Sequence, residues 1–171
     1  MACQLILVVE SDEKSRSDFI YINSVLNELY DIRLRNDIKI TPVFMGGKGN
    51  YKRVSGKIKK FQQAYKRNGK SYVIYCFDTD KYDTNPEEQR ILKDEEKYCN
   101  DNGFEFVWFC HDIEEVFIGK SVLNSEKTAK AIQYSVRHGI EKVKMGNMKS
   151  KVMSKGKSNL LLVLEKYFTE G

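Results

Sequence analysis

Acidic residues directly follow two apolar runs of the sequence. Glu10 follows the run 5–9, and Asp78 and Asp80 follow the run 72–77. Carboxylates that converge without cationic partners repel one another, and a hard divalent cation such as Mg²⁺ relieves that repulsion. A cation held in this way polarises a phosphoryl oxygen and orients water. The pattern therefore predicts a Mg²⁺ or Mn²⁺ site for phosphate-ester hydrolysis, with Glu10, Asp78 and Asp80 as its catalytic residues.

Further polar residues are placed to assist such a site. Glu10 itself could be either a ligand or a general acid/base near the scissile phosphate. His111 and Asp112 follow another apolar run, 104–109, and are auxiliary candidates. His111 could bind metal, donate a proton or contact phosphate, or it could be a hydrogen-bonded structural histidine. The additional candidate metal ligands are Glu13, Asp83 and Glu114.

Basic residues are concentrated on either side of an acidic segment. Residues 45–70 contain nine Lys or Arg and no acid, residues 78–115 contain thirteen acids and four bases, and residues 120–157 contain ten bases and two acids. Such segregation suits a polyanion that crosses a metal site, although solvated lysine-rich helices give the same pattern. A Gly-rich turn at 46–49 favours anions at the start of the next helix. The residues expected to contact nucleic-acid phosphates are Lys48, Lys52, Arg53 and Lys57.

Strand-like and helix-like segments alternate along the chain. Continuous β-branched runs predict buried strands, and apolar residues at helical spacing predict the helices between them. This alternation predicts an α/β fold with a four-stranded, mainly parallel sheet flanked by helices, whose ligands bind at the carboxyl ends of the strands. The predicted strands span 5–9, 38–44, 71–77 and 104–109. The predicted helices span about 15–29, 54–68, 86–102, 125–138 and 158–168, and a short segment of unassigned type spans 113–118.

Local signals predict where three of these helices begin or end. Ser15 and Asp18 form the pattern of a capping box at the start of the first helix. The Asn-Gly pair at 68–69 predicts a left-handed C-cap for the second. Pro86 suits the first turn of the third helix, which Gly103 should end.

The sequence resembles the Toprim family of topoisomerases, bacterial primases and OLD-family nucleases. The family has a Glu after its first strand and a DxD after its third, here Glu10 in LILVVE and Asp78 and Asp80 in VIYCFDTD. The resemblance covers roughly residues 4–118 and implies a Rossmann-like Toprim fold in which Asp78 and Asp80 bind metal. The segment FCHDIEEVFI, which contains Glu114, is similar to a strand-end segment of small Toprim proteins associated with phage defence.

The resemblance implies a metal-dependent nuclease-like phosphodiesterase acting on DNA or RNA, with a role as a phage-defence effector. Ser11 stands where the family commonly has Gly, and 171 residues leave no room for a topoisomerase tyrosine region or a primase zinc module. A second interpretation is a Toprim-like subunit that binds nucleic acid or a partner without turnover. A third is a haloacid-dehalogenase-like phosphatase, but that family carries its DxD on the first strand, where this chain has Glu10.

The composition is that of one globular domain. The chain is 41% hydrophobic and 12% aromatic, unlike a disordered segment or a coiled coil. Its apolar runs are too short to span a bilayer, and its four dispersed cysteines predict buried free thiols in a reducing cytoplasm. We expect a catalytic core over 1–118 and a basic helical extension, 119–171, packed on the same domain. Expected partners are nucleic acid, a restraining ATPase or sensor protein, and further copies of the chain, but no membrane.

Overall fold

The centre of the molecule is a sheet of four parallel strands. The computed structural model describes residues 2–168, so residue 1 and residues 169–171 of the two predicted regions lie outside the described residues. The strands have the spatial order β2-β1-β3-β4, and all three neighbouring pairs are parallel. The predicted α/β fold is therefore confirmed, and it is Rossmann-like. The strands are β1 (Cys3–Val9), β2 (Ile38–Phe44), β3 (Lys70–Asp78) and β4 (Glu105–Phe109).

Helices cover both faces of this sheet. Successive residues of each strand point to opposite faces, so each strand contributes to two cores. In β1, Leu5 and Leu7 join one core with α1, α4, α5 and α6, while Ile6 and Val8 join a second core with residues of α2 and α3. Burial on both faces explains why the strands are continuously apolar. The helices are α1 (Ser17–Tyr30), α2 (Ser55–Tyr65), α3 (Pro86–Asn102), α4 (Ile113–Ile118), α5 (Lys127–Val136) and α6 (Leu160–Phe168).

The segment after α4 packs directly on the β4 side of the sheet. Ser158 forms an antiparallel bridge with Phe109, and its hydroxyl donates to the carbonyl of Trp108 at 2.7 Å. The Asn159 side chain accepts from the backbone N–H of Trp108 and donates to the carbonyl of Phe106, both at 2.9 Å. These bonds occupy backbone groups that an edge strand would otherwise present to solvent. The buried residues of α5 and α6 share one core with β1.

Two of the predicted helix signals were wrong. The capping box does not form, because α1 begins at Ser17 after Arg16 in the left-handed region (φ 52°), and Asp18 Oδ2 instead accepts from the backbone N–H of Ser11 at 3.0 Å. Gly69 is not left-handed; it is required because a Cβ there would collide with the carbonyl oxygen of Ala2. In both places a tertiary contact replaced the local signal.

The remaining helix signals are confirmed around α3. The Asn85 side chain caps its start by accepting from the backbone N–H groups of Glu87 and Glu88, Pro86 occupies the first turn, and Gly103 ends it with φ 68°. The cysteines are free thiols; Cys76, Cys99 and Cys110 are buried as predicted, whereas Cys3 is only half-buried. Within residues 2–168 no helix is both long and apolar enough to cross a membrane.

Candidate active site

The acids predicted to be catalytic lie at a switch point of the sheet. From β1 the chain passes to β2 on one side and then returns beyond β1 to β3 on the other. The connections on either side of such a point leave in opposite directions and open a crevice, where open parallel sheets bind their ligands. Glu10 follows β1 and Asp78 ends β3. These two residues therefore flank the crevice.

Glu10 and Asp78 are in direct contact. The backbone N–H of Asp78 donates to Glu10 Oε1 at 3.2 Å, and Asp78 Oδ1 accepts from the backbone N–H of Ile113 at 2.9 Å. Burial raises the pKa of both carboxyl groups well above its ordinary value, and nearby carboxylates raise it further, chiefly Asp18 for Glu10 and Glu10 for Asp78. A cation at this pair would offset both effects.

Asp80 is turned toward Lys48, which the Gly-rich loop after β2 carries. Lys48 Nζ donates to Asp80 Oδ2 at 2.7 Å, to Glu88 Oε2 at 3.0 Å and to the carbonyl of Asp78 at 3.3 Å. Burial alone would lower the pKa of Lys48, but the bonds to Asp80 and Glu88 outweigh it and raise that pKa. The ammonium group expected to contact phosphate thus neutralises two acids of the site.

The loops after β3 and β4 hold each other in a constrained conformation. Asp80 and His111 both have left-handed backbones, with φ of 50° and 62°. The backbone N–H of Asp80 donates to the carbonyl of His111 at 2.8 Å, and the backbone N–H of His111 donates to the Thr79 hydroxyl at 2.8 Å. Left-handed residues other than Gly persist where the surroundings enforce them, often at functional sites. This cross-linking fixes the backbone on which Asp80 and His111 stand.

A second lysine faces acids on the other side of the Glu10–Asp78 pair. Glu114 is fully buried, and neither of its carboxylate oxygens has a hydrogen-bond partner among residues 2–168. Lys127 Nζ lies 3.7 Å from Glu114 Oε1, which is too long for a hydrogen bond. Burial raises the pKa of Glu114 to about 7, although Lys127 opposes that shift. Burial also raises the pKa of the nearby Asp18, against the opposing effects of its bond from Ser11 and of Lys127.

An open cleft of about 580 Å³ lies beside Asp80, between the start of α3 and the start of α4. His111 stands in it with Nε2 3.2 Å from Asp83 Oδ2 and Nδ1 3.2 Å from Glu115 Oε2. Asp112 caps α4 by accepting from the backbone N–H of Glu115 at 2.8 Å. His111 and Asp83 thus line the cleft in contact with each other, whereas Asp112 caps α4.

The other predicted residues are distributed around this region. Glu13 is exposed on the loop between β1 and α1, and Arg53 and Lys57 are exposed near the start of α2. Lys52 Nζ lies over the rings of Tyr51 and Tyr98, 5.6 and 6.0 Å from their centroids. These contacts point Lys52 along α3 and leave its charge at the surface.

Basic residues line cavities at opposite ends of the sheet. Glu115 lines both the cleft beside Asp80 and an adjoining cavity of about 400 Å³. A separate cavity of about 480 Å³ lies at the amino end of β3. The cavity next to the cleft borders the acidic site, whereas the cavity at the amino end of β3 does not. The lysines of the cavity next to the cleft are Lys142, Lys144 and Lys155, and those at the amino end are Lys59, Lys66 and Lys70.

The donor groups of the site fit a hard divalent cation. Glu10, Asp78 and Asp80 offer only oxygen, which Mg²⁺ and Mn²⁺ prefer. No group of three or more His, Cys, Asp or Glu side chains able to hold a metal ion occurs in the part of the chain from 2 to 168. Mg²⁺ needs only one or two carboxylates when water and substrate phosphate complete its shell. The Glu10–Asp78 pair provides that number.

Sequence reasoning missed four charged residues of the site: Asp18, Glu88, Glu95 and Lys127. Glu95 is fully buried, between Leu92 and Cys99 on the buried stripe of α3. An acid within an apolar helical stripe is a signal that could have found it. Lys127 carries no such signal, because only the tertiary fold brings α5 to Glu114.

Comparison of the chain with protein-family models, with curated proteins and with solved structures finds no match.

Proposed function

We propose that the protein is a metal-dependent, nuclease-like phosphodiesterase acting on DNA or RNA, as its resemblance to Toprim proteins implies. The observation that carries the proposal is the position of the Glu10 carboxylate at the switch point, where it accepts a hydrogen bond from the backbone N–H of Asp78 and raises the pKa of the Asp78 carboxyl. Two adjoining carboxylates with raised pKa values are unfavourable when both are ionised. A bound Mg²⁺ or Mn²⁺ would supply the missing charge.

Each residue of the site has a role in this proposal. Asp78 and Asp80 would hold the cation, and Glu10 would either complete its ligands or move a proton to or from the attacking water. When bound, the cation supplies Lewis-acid activation of the phosphoryl oxygen. Glu114 would add negative charge behind Asp78. His111, in the cleft, would orient the substrate or exchange a proton with it.

The surrounding charge suits a nucleic-acid substrate. A phosphodiester in the cleft beside Asp80 would have basic residues on both sides, and these would bind the backbone largely without regard to sequence. One set borders the loop after β2, and the other lines the cavity that shares Glu115 with the cleft. The first set is Lys52, Arg53 and Lys57, and the second is Lys142, Lys144 and Lys155.

Cleavage of supercoiled plasmid DNA and of end-labelled RNA, with Mg²⁺, Mn²⁺ or EDTA, tests the proposal. We expect cation-dependent cleavage that Asp78→Asn abolishes, because Asn keeps an acceptor for the N–H of Ile113 but loses the charge. Asp101→Asn, at an exposed acid of α3, is the matched control and should cleave like the wild type. Cleavage that survives Asp78→Asn would overturn the assignment of the site.

A second candidate function is a subunit that binds nucleic acid without turnover. The specific observation in its favour is that Lys48 already neutralises Asp80. Such a subunit would bind the same oligonucleotides with no cleavage in either cation. Retained binding together with no cleavage, also in the presence of a restraining ATPase or sensor partner, would select this candidate over the enzyme.

A further inference from the structure

Lys48 occupies a position resembling that of a bound cation. Its Nζ is surrounded by three oxygen atoms, from Asp80, Glu88 and the backbone of Asp78, at 2.7 to 3.3 Å. Only 13% of its side chain is exposed, although lysine is usually at the surface. The ammonium group is thus a bound component of the acidic site.

A buried acid, Glu95, lies close to Lys48. Glu95 is fully buried, and neither carboxylate oxygen has a hydrogen-bond partner within the described chain, 2–168. Burial raises the pKa of Glu95 to about 8, while the charge of Lys48 opposes the shift and those of Asp80 and Glu88 add to it. The Lys48 position therefore has more acidic groups around it than one ammonium ion neutralises.

The loop that carries Lys48 is connected to the Glu10 loop. The backbone N–H of Gly47 donates to the carbonyl of Glu10 at 2.9 Å, and that of Gly46 donates to the carbonyl of Ser11 at 3.3 Å. Gly46 and Gly47 have φ of 65° and 122°, which side chains other than Gly disfavour. These backbone bonds hold the Cα of Lys48 beside the site, while its four-carbon side chain can still change rotamer.

We propose that Lys48 is an exchangeable counter-cation: a divalent metal ion displaces its ammonium group from Asp80 and Glu88, and the released group then binds substrate phosphate. This inference rests on the proposed metal site. Because metal and ammonium share Asp80, occupancy by one excludes the other from that carboxylate. By linkage, metal binding and phosphate binding then strengthen each other. Lys48 in this role is a positioning residue that controls cation entry.

Calorimetric titration of Mn²⁺ into the metal-free protein tests the exchange. We expect Lys48→Met to lower the Kd for Mn²⁺ roughly ten-fold or more, since it removes a competing charge close to Asp80. Lys48→Arg keeps the charge, and Lys52→Met removes a neighbouring charge at the surface, so both should bind like the wild type. The gain should vanish in the Asp80→Asn background.

Mn²⁺ binding that Lys48→Met leaves unchanged or weakens would overturn this inference alone. Absence of binding to both wild type and Lys48→Met would overturn the proposed metal site with it.

Lysine acetylation of the wild-type protein gives a readout that does not depend on a variant folding. Mass spectrometry should find that Mg²⁺ accelerates the reaction of Lys48 with acetic anhydride roughly ten-fold, as release exposes its amine, but leaves Lys52 unchanged. Unaltered protection of Lys48 would overturn the release.

The phosphate step is tested with a phosphorothioate oligonucleotide. Mg²⁺ should tighten its binding to the wild type but not to Lys48→Met, and equal tightening would overturn that step.

Discussion

The two lysines that flank the Glu10–Asp78 pair are held very differently. On what we call the Lys48 side (Lys48, Asp80 and Glu88), the ammonium group is hydrogen-bonded to both carboxylates at 2.7 and 3.0 Å. On the Lys127 side (Lys127, Asp18 and Glu114), the ammonium group is 3.7 Å from Glu114, whose oxygens lack hydrogen bonds from residues 2–168. One side is closed by a hydrogen-bonded ion pair, and the other has a longer ion pair in which the buried Glu114 makes no hydrogen bond to residues 2–168.

The difference follows from the elements that carry these residues. The Lys48 side is built from two loops and the first turn of α3, where a long side chain can reach its partners. The Lys127 side is built from α1, α4 and α5, whose packing fixes the distance between Glu114 and Lys127. From this difference we expect the Lys48 ion pair to be exchangeable and Lys127 to act as a fixed charge.

Loss of the carboxylate between the two sides should have the largest effect. Glu10→Gln should lower cation-dependent cleavage by about 100-fold or more, because it removes a ligand or a proton-transfer group. Its stability in metal-free buffer at pH 8 should hold or rise, since one repulsive charge is gone. Cleavage assays and urea unfolding measure the two quantities. Asp101→Asn, at an exposed acid of α3, is the control, and equal losses in both variants would contradict the assignment of Glu10.

Neutralising the basic residues on each side of the site tests whether nucleic acid contacts both sides. Replacing Lys52, Arg53 and Lys57 by Met, or Lys142, Lys144 and Lys155, should weaken oligonucleotide binding and flatten the slope of log affinity against log salt by about 2 to 3 units. Fluorescence anisotropy at several salt concentrations measures the slope. The control is a set of three lysines at the amino end of β3, called the distant set, which should change the slope least. Equal effects from all three sets would indicate diffuse surface charge. The distant set is Lys59, Lys66 and Lys70.

Lys127 should matter for folding as a fixed charge. Lys127→Met should destabilise the protein at pH 8 by on the order of 1–2 kcal/mol, because it removes the cation that faces the buried Glu114. Glu114→Gln in the same chain should recover most of that loss, and Lys130→Met on the same helix should cost little. Urea unfolding of the four proteins gives the values. A Lys127→Met protein as stable as the wild type would contradict the comparison of the two sides.

The smallest predicted effect is a pH dependence from Glu95. Its pKa is raised from 4.5 to about 8, so the folded state favours the protonated carboxyl group. The resulting stability is present in full below pH 4.5 and is lost as pH rises through about 8. Between pH 7 and pH 8.5 the wild type should lose about 1 kcal/mol more than Glu95→Gln. Unfolding curves at several pH values test this, with the exposed Glu96→Gln as the control, and parallel profiles for all three would contradict it.

Much of the fold could be predicted because its signals are local and agree with one another. Strand β2 has the predicted bounds, and α3 begins at Pro86 and ends before Gly103, as expected. The sheet order could not be read locally, yet parallel strands with acids at their carboxyl ends were enough to bring Glu10 beside Asp78. The local signals failed at two positions: Asp18 accepts a hydrogen bond from Ser11 instead of forming a capping box, and Gly69 lies against the carbonyl of Ala2.

The charge pairing within the site could not be predicted in the same way. The sequence shows that Lys48 and Asp80 are near the site, but not that a lysine side chain bridges the two loops. Lys127 and Glu114 come together through the packing of α5 against the core, which depends on many apolar contacts at once. Charges that are far apart in sequence therefore need the structure before their partners are known.

The anomalous signal of Mn²⁺ in a crystal of the protein grown with that ion would locate the metal site. We expect one strong peak at the switch point, about 2 to 2.5 Å from carboxylate oxygens of Glu10 and Asp78, with Asp80 turned away from Lys48 and toward the ion. Strong Mn²⁺ peaks elsewhere and none beside Glu10 and Asp78, with the Lys48–Asp80 pair intact, would contradict it.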